Sequence, residues 1–596
     1  MKDFLKYMFA TMTGIIVLSI IGGIMFILTI VGMLAGGDTQ VKAKDNSVFV
    51  LKLDGMVSER TEGESPLSAL LGAADASEMG LDDLLTAIRR ARDEEKIKGI
   101  YIEGGATVFD SPATAQQLRD ALADFRQSGK WIMAYGDQMM QASYYVCSVA
   151  DSVFLNVTGM IDFKGLGGKN TYMTGLYEKL GIRYQAARVG RYKSYVESVT
   201  RTDMSDDDRE QRTAYLQGIW QIWTQQMAES RGVTAADLDQ LANDSIMVFA
   251  STDDYLSAHL IDRVMYPDQM KNVVRARLGI DADESINQLS LNDMLNLKTP
   301  KVKQRGGEVA VYYAYGEIVD EMVNGFSTDH NIVGNETVKD ILALANDDDV
   351  KAVVLRVNSP GGSAIASEQI WHAINILKEK KPVVVSMGGV AASGGYMISC
   401  GASYIMAEPT TITGSIGIFG LIPNLSGLVT DKLGITWDGV TTNRYTDYET
   451  SLVFSNENSD EIRYLQGYVD RGYENFLGIV AQGRGLTKDS VNQIAQGRVW
   501  LATDALNIGL VDELGSLEKA VKKAVELASL DRYYTVAYPQ KQDWIDGLLA
   551  QQQQESYLDL QLHKALGDLY EPIMQLRLDQ LRNRMQARLP YPVCVE

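Results

Sequence analysis

Ala352-Val353-Val354-Leu355-Arg356-Val357, followed at once by Asn358-Ser359-Pro360-Gly361-Gly362-Ser363, is the stretch from which the fold is read. An apolar, β-branched run closed by a Pro-Gly-Gly turn reads as a buried strand. After the turn, Ala366, Ile370, Ala373, Ile374 and Leu377 recur at helical spacing, and Val383 to Val385 is a second short apolar run. Strand, helix, strand is a βαβ unit, which implies a parallel sheet with helical crossovers and an α/β fold class.

Working outward, the chain repeats itself. Glu178-Lys179-Leu180-Gly181-Ile182 matches Asp431-Lys432-Leu433-Gly434-Ile435, and Arg191, Tyr192 and Tyr195 match Arg444, Tyr445 and Tyr448, all at a shift of 253 residues. Arg231-Gly232-Val233-Thr234 meets Arg484-Gly485-Leu486-Thr487 at the same shift. A constant offset over such distances marks two copies of one unit. Each copy opens on a strand-like run, Val48 to Leu53 and Val309 to Ala314. The expected organisation is residues 1–37 as a cytosolic stub and membrane anchor, 45–297 as the first repeat, 298–307 as a linker with Pro300 inside, 308–537 as the second repeat, and 538–596 as a polar, Gln-rich helical tail.

Length and composition agree with two large units. The 596 residues are 46% hydrophobic and 22% charged, near the globular average, and 56 basic against 77 acidic side chains leave a formal charge of −21. So acidic a chain is ill suited to phosphate backbones, and no nucleic-acid partner is expected. Cys147, Cys400 and Cys594 are too scattered for a disulfide framework, and His259, His330, His372 and His563 show no metal-ligand spacing, so no metal and no cofactor is expected. No charge occurs between Lys6 and Asp38, and Met8 to Leu34 is long enough to span a bilayer and longer than the apolar part of a secretory signal. A single-pass anchor is expected. Lys2 and Lys6 are balanced by Lys42 and Lys44, so the short amino-terminal flank decides the orientation: N-terminus cytosolic, everything after Asp38 outside the cytoplasm.

The chemistry-bearing residues divide between the copies. Gly388-Gly389-Val390-Ala391-Ala392-Ser393-Gly394-Gly395 follows a strand and opens a helix. Glycines there bring backbone N–H groups to a ligand, and a serine between such donors can attack a carbonyl whose oxyanion they stabilise. Aligning Tyr396 and Cys400 with Tyr144 and Ser148 sets Gln141 opposite Ser393, and Ala142 and Ser143 opposite Gly394 and Gly395, so the first copy lacks the serine and its glycines. Conversely, Lys193 stands opposite Thr446. One copy holds a serine and the other a lysine. A lysine serves as base if its pKa falls from about 10.4 toward 7 or 8, roughly 4 kcal/mol, which requires burial away from carboxylates.

On these motifs the chain resembles the long, double-domain signal peptide peptidases of peptidase family S49, Ser-Lys peptidases of the ClpP/crotonase-like fold. The resemblance spans nearly the whole chain and rests on Arg188-Val189-Gly190-Arg191-Tyr192-Lys193-Ser194, Asn358-Ser359-Pro360-Gly361-Gly362-Ser363, Ala392-Ser393-Gly394-Gly395-Tyr396 and Thr413-Gly414-Ser415-Ile416-Gly417. It implies two tandem ClpP/crotonase-like domains, Ser393 as nucleophile, Lys193 as general base, Ser415 as the residue orienting the amine, and the N–H groups of Gly362 and Gly394 as oxyanion hole. Gly362 is preferred to Gly361 on the analogy with ClpP. It also implies a homotetramer in the bacterial inner membrane, with periplasmic or extracytoplasmic catalytic domains degrading cleaved signal peptides and other apolar peptides. No motif maps beyond Pro539.

Three rival readings follow from the same residues. A Ser-His-Asp peptidase would use His372, on the helix after Ser363. A crotonase-like acyl-CoA enzyme would share the oxyanion hole but needs cleft glutamates that the Gly-rich turns lack. An inactive membrane scaffold conflicts with the complementary retention of serine and lysine. A separation of about 2.6–3.2 Å between Lys193 Nζ and Ser393 Oγ is the geometry the Ser-Lys reading requires.

Overall fold

The computed structural model describes residues 41–61, 78–298, 306–321, 330–456, 458–540 and 586–588, with four isolated positions before residue 41. The anchor expected over Met8–Leu34, most of the linker and most of the tail lie outside the described residues. No helix among the described residues is long and apolar enough to cross a membrane.

In the first repeat, strands β1 (Ser47–Ser58), β2 (Ile97–Phe109), β3 (Trp131–Met139) and β4 (Ser152–Ile161) pair in parallel within a seven-stranded sheet. Helix α1 (Pro112–Gln127) crosses from β2 to β3. It starts where Ser111 accepts from the Thr114 N–H and Pro112 supplies a preset first turn. Helix α2 (Gln141–Cys147) links β3 to β4, β5 (Arg183–Val189) follows, and the long α3 (Asp206–Arg231) closes the unit.

The second repeat restates this order. Strands β6 (Gly307–Tyr315), β7 (Val350–Ser359) and β9 (Val383–Ala392) pair in parallel within an eight-stranded sheet, and α4 (Ala364–Lys380) is the crossover inferred from the sequence. The short β8 (Gly361–Ser363) lies between β7 and α4. After β9 come α5 (Gly394–Ser399), β10 (Ile412–Gly414), β11 (Ile418–Asn424), α6 (Ser459–Arg484), β12 (Val499–Leu501) and β13 (Tyr533–Tyr538). The 26-residue helices α3 and α6 end identically, on Gly232 and Gly485 in the left-handed region at φ 68° and 65°. The 253-residue shift is thus visible in the backbone.

The repeats are not two separate bodies. Val390, Ala392, Ile412, Val499 and Leu501 of the second repeat are buried in the same apolar core as Phe49, Ile100 and Trp223 of the first. Strand β5 leaves its own repeat and pairs antiparallel with β11 over seven residues, Val189 with Ile418 through Arg183 with Asn424. A buried ion pair adds to the junction: Arg356 Nε donates to Glu59 Oε1 at 2.6 Å, and its other nitrogens reach Gln117 Oε1 and Ser386 Oγ at 3.0 Å each. Removing either charge would leave the other buried without its partner.

The tail differs from the helical expectation at the segment described beyond residue 540. Gln586–Arg588 forms strand β14, antiparallel to both β8 and β11. The physical reason is that β8 and β11 both present unpaired backbone edges toward the gap between them, and an extended segment satisfies both.

Candidate active site

Strand β9 ends at Ala392, and the chain turns sharply into α5 at Ser393. Ser393 holds φ 56° and ψ −115°, a conformation that costs a residue with a Cβ on the order of 1–3 kcal/mol. Two bonds fix it there: its N–H donates to Gly414 O at 2.8 Å, and its carbonyl accepts from Met397 N–H at 2.9 Å. Ser415 also has positive φ, 49°, with its N–H on Arg498 O at 2.7 Å. Both serines have no exposed surface. Two adjacent strained turns therefore aim two hydroxyls at one point.

Lys193 reaches that point from the other repeat. It follows β5, which β11 has drawn across the junction, and its loop lies directly on Gln496 and Gly497. The Tyr192 N–H donates to Gln496 O at 2.9 Å, and a Cβ on Gly497 would stand 2.7 Å from Lys193 N. Lys193 is 0% exposed, its Nζ 2.7 Å from Ser393 Oγ and 3.1 Å from both Ser415 O and Ser415 Oγ. Burial pushes its pKa well below the ordinary lysine value of 10.5, and no carboxylate counters that. The nearby acids are occupied. Asp208 accepts from Ser194 Oγ at 2.6 Å and from Arg212 Nε at 2.8 Å, and Glu197 faces Arg188 at 3.6 Å.

The remaining glycines divide by task. A Cβ on Gly362 would stand 2.0 Å from Ile318 O, and one on Gly395 would stand 2.6 Å from Ser359 O. Their absence lets β8 lie flat against Glu317–Val319 and lets α5 sit against the turn before β8. Gly394 opens α5 beside Ser393. Gly388 and Gly389, expected at the strand-to-helix turn as ligand-facing donors, lie inside β9 instead. They admit the first repeat: a Cβ would meet Glu59 Oε2 at 2.9 Å and Ser111 Oγ at 2.1 Å respectively. His372 is exposed on α4, while Ser393 Oγ is met by the lysine.

The sequence profile of peptidase family S49 matches residues 124–281 and again residues 375–531. The chain belongs to peptidase family S49. It is a serine protease, and a Clp protease profile matches residues 310–411, from β6 through β9 and α5, in keeping with the parallel α/β architecture. Protease 4 of Haemophilus influenzae is 34% identical over 527 residues, covering 85% of this chain and 83% of that protein. Protease 4 of Salmonella typhi is also 34% identical, over 86% and 84% of the two chains. The chloroplastic serine protease SPPA of Arabidopsis thaliana is 26% identical over 82% and 70%.

The two S49 copies differ at the site in a way that the side chains explain. In the first repeat Gln141 fills the place of the serine turn: its Oε1 accepts from the Lys164 and Gly165 N–H groups at 2.8 Å each, and its Nε2 donates to Gly165 O at 3.0 Å. At the offset that pairs Gln141 with Ser393, Phe163 stands where the second copy has Ser415, buried edge-on against Tyr144. The first repeat has thus replaced both hydroxyls and closed the space. Gln496, Gly497 and the Glu59–Arg356 pair carried no signal in the sequence, since each matters only through the opposite repeat.

Proposed function

We propose that this S49 serine protease works through a Ser393–Lys193 dyad at the junction of its repeats. The observation that supports this most is a fully buried lysine whose Nζ lies 2.7 Å from the serine oxygen with no carboxylate to keep it protonated. Neutral Lys193 donates its two N–H groups toward Ser415, which leaves its lone pair for the Ser393 hydroxyl proton. Ser393 Oγ attacks the peptide carbonyl, and the oxyanion is held by the N–H groups of Gly362 and Gly394. The lysinium then protonates the leaving amine, and water attacks the acyl-enzyme with Lys193 again as base. No metal or cofactor has a part in these steps.

The substrate is taken as an extended strand between β8 and β11, the position that β14 occupies in antiparallel pairing. Phe419, which pairs with Gln586 at that position and stacks on Tyr195 at 4.9 Å, favours apolar peptides. Cleaved signal peptides are the substrate class we assign. The enzyme is held at a bacterial inner membrane by the apolar stretch from Met8 to Leu34, its catalytic repeats outside the cytoplasm. It acts as a homotetramer. The exposed apolar side chains of Leu176, Leu180, Leu433, Ile435, Trp437 and Val440, beside the far end of the β5–β11 pairing, support contact between copies.

The test is Lys193→Met, which keeps the side chain's bulk and removes the base, alongside Ser393→Ala, both assayed in detergent on an apolar peptide. General-base loss is expected to lower kcat/KM by about 10³-fold, and a fluorophosphonate is expected to label Ser393 in the wild type far faster than in Lys193→Met. Near-wild-type hydrolysis by Lys193→Met would end the dyad reading.

A further inference from the structure

The first repeat brings a second residue to the site besides Lys193. Asp110 closes β2 just ahead of α1, and across the junction its Oδ2 accepts from Asn358 Nδ2 at 3.1 Å. Asn358 Oδ1 in turn accepts from the Val390 N–H at 3.0 Å, and the Asn358 carbonyl accepts from the Gly316 N–H at 3.0 Å. The amide orientation is determined by its surroundings: Oδ1 accepts from the Val390 N–H, so the NH₂ must face an acceptor, which Asp110 Oδ2 supplies.

Asn358 occupies a decisive place in the chain. It lies on β7, immediately before the Ser359-Pro360-Gly361-Gly362 turn into β8, and Val390 lies on β9, three residues before Ser393. Its side chain therefore ties the segment that leads to Gly362 to the strand that leads to Ser393. The backbone here has room for that link because Gly388 and Gly389 bear no side chain. Asp110 is the only first-repeat group bonded to Asn358 among the described residues, and it is itself held by Thr114 Oγ1, whose hydroxyl donates to Asp110 Oδ1. Glu59, which faces Asp110, is committed to Arg356.

We propose that Asp110 is a positioning residue for the protease site: through Asn358 it fixes the separation between the turn carrying Gly362 and the turn carrying Ser393. This rests on the Ser393–Lys193 reading above and adds to it that the first repeat sets the spacing of nucleophile and oxyanion donors. Since a misplacement of 1 Å in such a site costs about 10²-fold, the link acts on kcat rather than on substrate binding.

The experiment compares Asp110→Ala, Asp110→Asn, Asn358→Ala and the double variant Asp110→Ala/Asn358→Ala in the full-length protein in detergent. Active sites are titrated with a fluorophosphonate so that kcat refers to folded enzyme only. Asp110→Ala is expected to lower kcat about tenfold with KM within about twofold, and Asp110→Asn, which retains a carbonyl acceptor, to recover most of it. Asn358→Ala should lose as much, and the double variant no more than either single one. A wild-type kcat for Asp110→Ala, equal losses for Asp110→Ala and Asp110→Asn, or additive losses in the double variant would each overturn the proposal. Failure of the dyad itself is read separately, from rapid labelling of Ser393 in Lys193→Met.

Discussion

Gly497→Ala perturbs the site without replacing any residue that takes part in the chemistry. Gly497 holds φ +75°, and a Cβ there would stand 2.7 Å from both Lys193 N and Lys193 Cβ and 2.9 Å from its Cα. These atoms belong to the backbone or its first branch, so no rotamer change relieves the contact. Restoring an ordinary separation of about 3.5 Å moves the lysine loop by about 0.8 Å. Nζ now lies 2.7 Å from Ser393 Oγ, and such a shift carries it past the roughly 3.2 Å limit for proton transfer by direct hydrogen bond. We expect kcat to fall between about 10-fold and 10²-fold, with KM within about twofold. Left-handed backbone at an alanine also costs about 1–2 kcal/mol of stability, which must be separated from the kinetic effect. Gly232→Ala supplies the control: its φ is +68°, yet nothing lies within 4 Å of the added Cβ. The assay is peptide hydrolysis per titrated site, with melting temperature measured in parallel. Equal melting losses with a kcat loss only in Gly497→Ala are expected. A folded Gly497→Ala enzyme with wild-type kcat would refute the claim that the second repeat seats the lysine.

The rate of Ser393 acylation should rise with pH along one limb whose midpoint lies well below 10.5, because burial lowers the Lys193 pKa and only the neutral amine accepts a proton; the matching limb should be missing in Lys193→Met. The same shift makes the unfolded chain bind more protons than the folded one between the lowered value and 10.5, so folding stability should increase with pH across that window in wild type relative to Lys193→Met. Ser415→Ala removes one of two partners at 3.1 Å and leaves the Ser415 carbonyl, so a loss of about 5–10-fold in kcat is expected, the worth of one hydrogen bond of about 1–1.5 kcal/mol. Removing residues 586–596 vacates the strand position between β8 and β11 and should lower KM for peptides while kcat per site holds; an unchanged KM would show that β14 does not compete with substrate.

Much of this was legible because it is local or repeated. The β7–turn–α4–β9 unit announces itself through β-branched runs and helical spacing, and aligning the two repeats exposes the missing serine in one copy and the missing lysine in the other. What stayed hidden depends on contact between the copies. Gly388 and Gly389 look like ligand-facing turn glycines by composition, yet Glu59 and Ser111, several hundred residues away, are what they make room for. Asp110 reads as an ordinary acidic residue before a helix; only the junction pushes its pKa up to about 7, through burial and the neighbouring Glu59. Sequence spacing reports neighbours along the chain, and these groups are neighbours only through the fold.

The division of serine and lysine between the repeats then has a physical reason. A lysine can act as base near neutral pH only if it is desolvated and kept from carboxylates, and a loop at the end of a strand seldom meets that condition within its own unit. The comparison is internal to this protein: Thr446, at the position equivalent to Lys193, is exposed, whereas Lys193 has no exposed surface. The difference is the covering surface, Gln496 and Gly497 below and the two strained serine turns in front, all supplied by the second repeat. Taken alone, the first repeat would leave its lysine in water, charged, and unable to accept a proton. The second would retain a serine with no base. In the first repeat Gln141 and Phe163 stand at the positions of Ser393 and Ser415 and are held there by hydrogen bonds and apolar contact. Under the proposed dyad the tandem arrangement builds one site at its junction, and burial of Lys193 by the opposite repeat is what would make that site a proton acceptor.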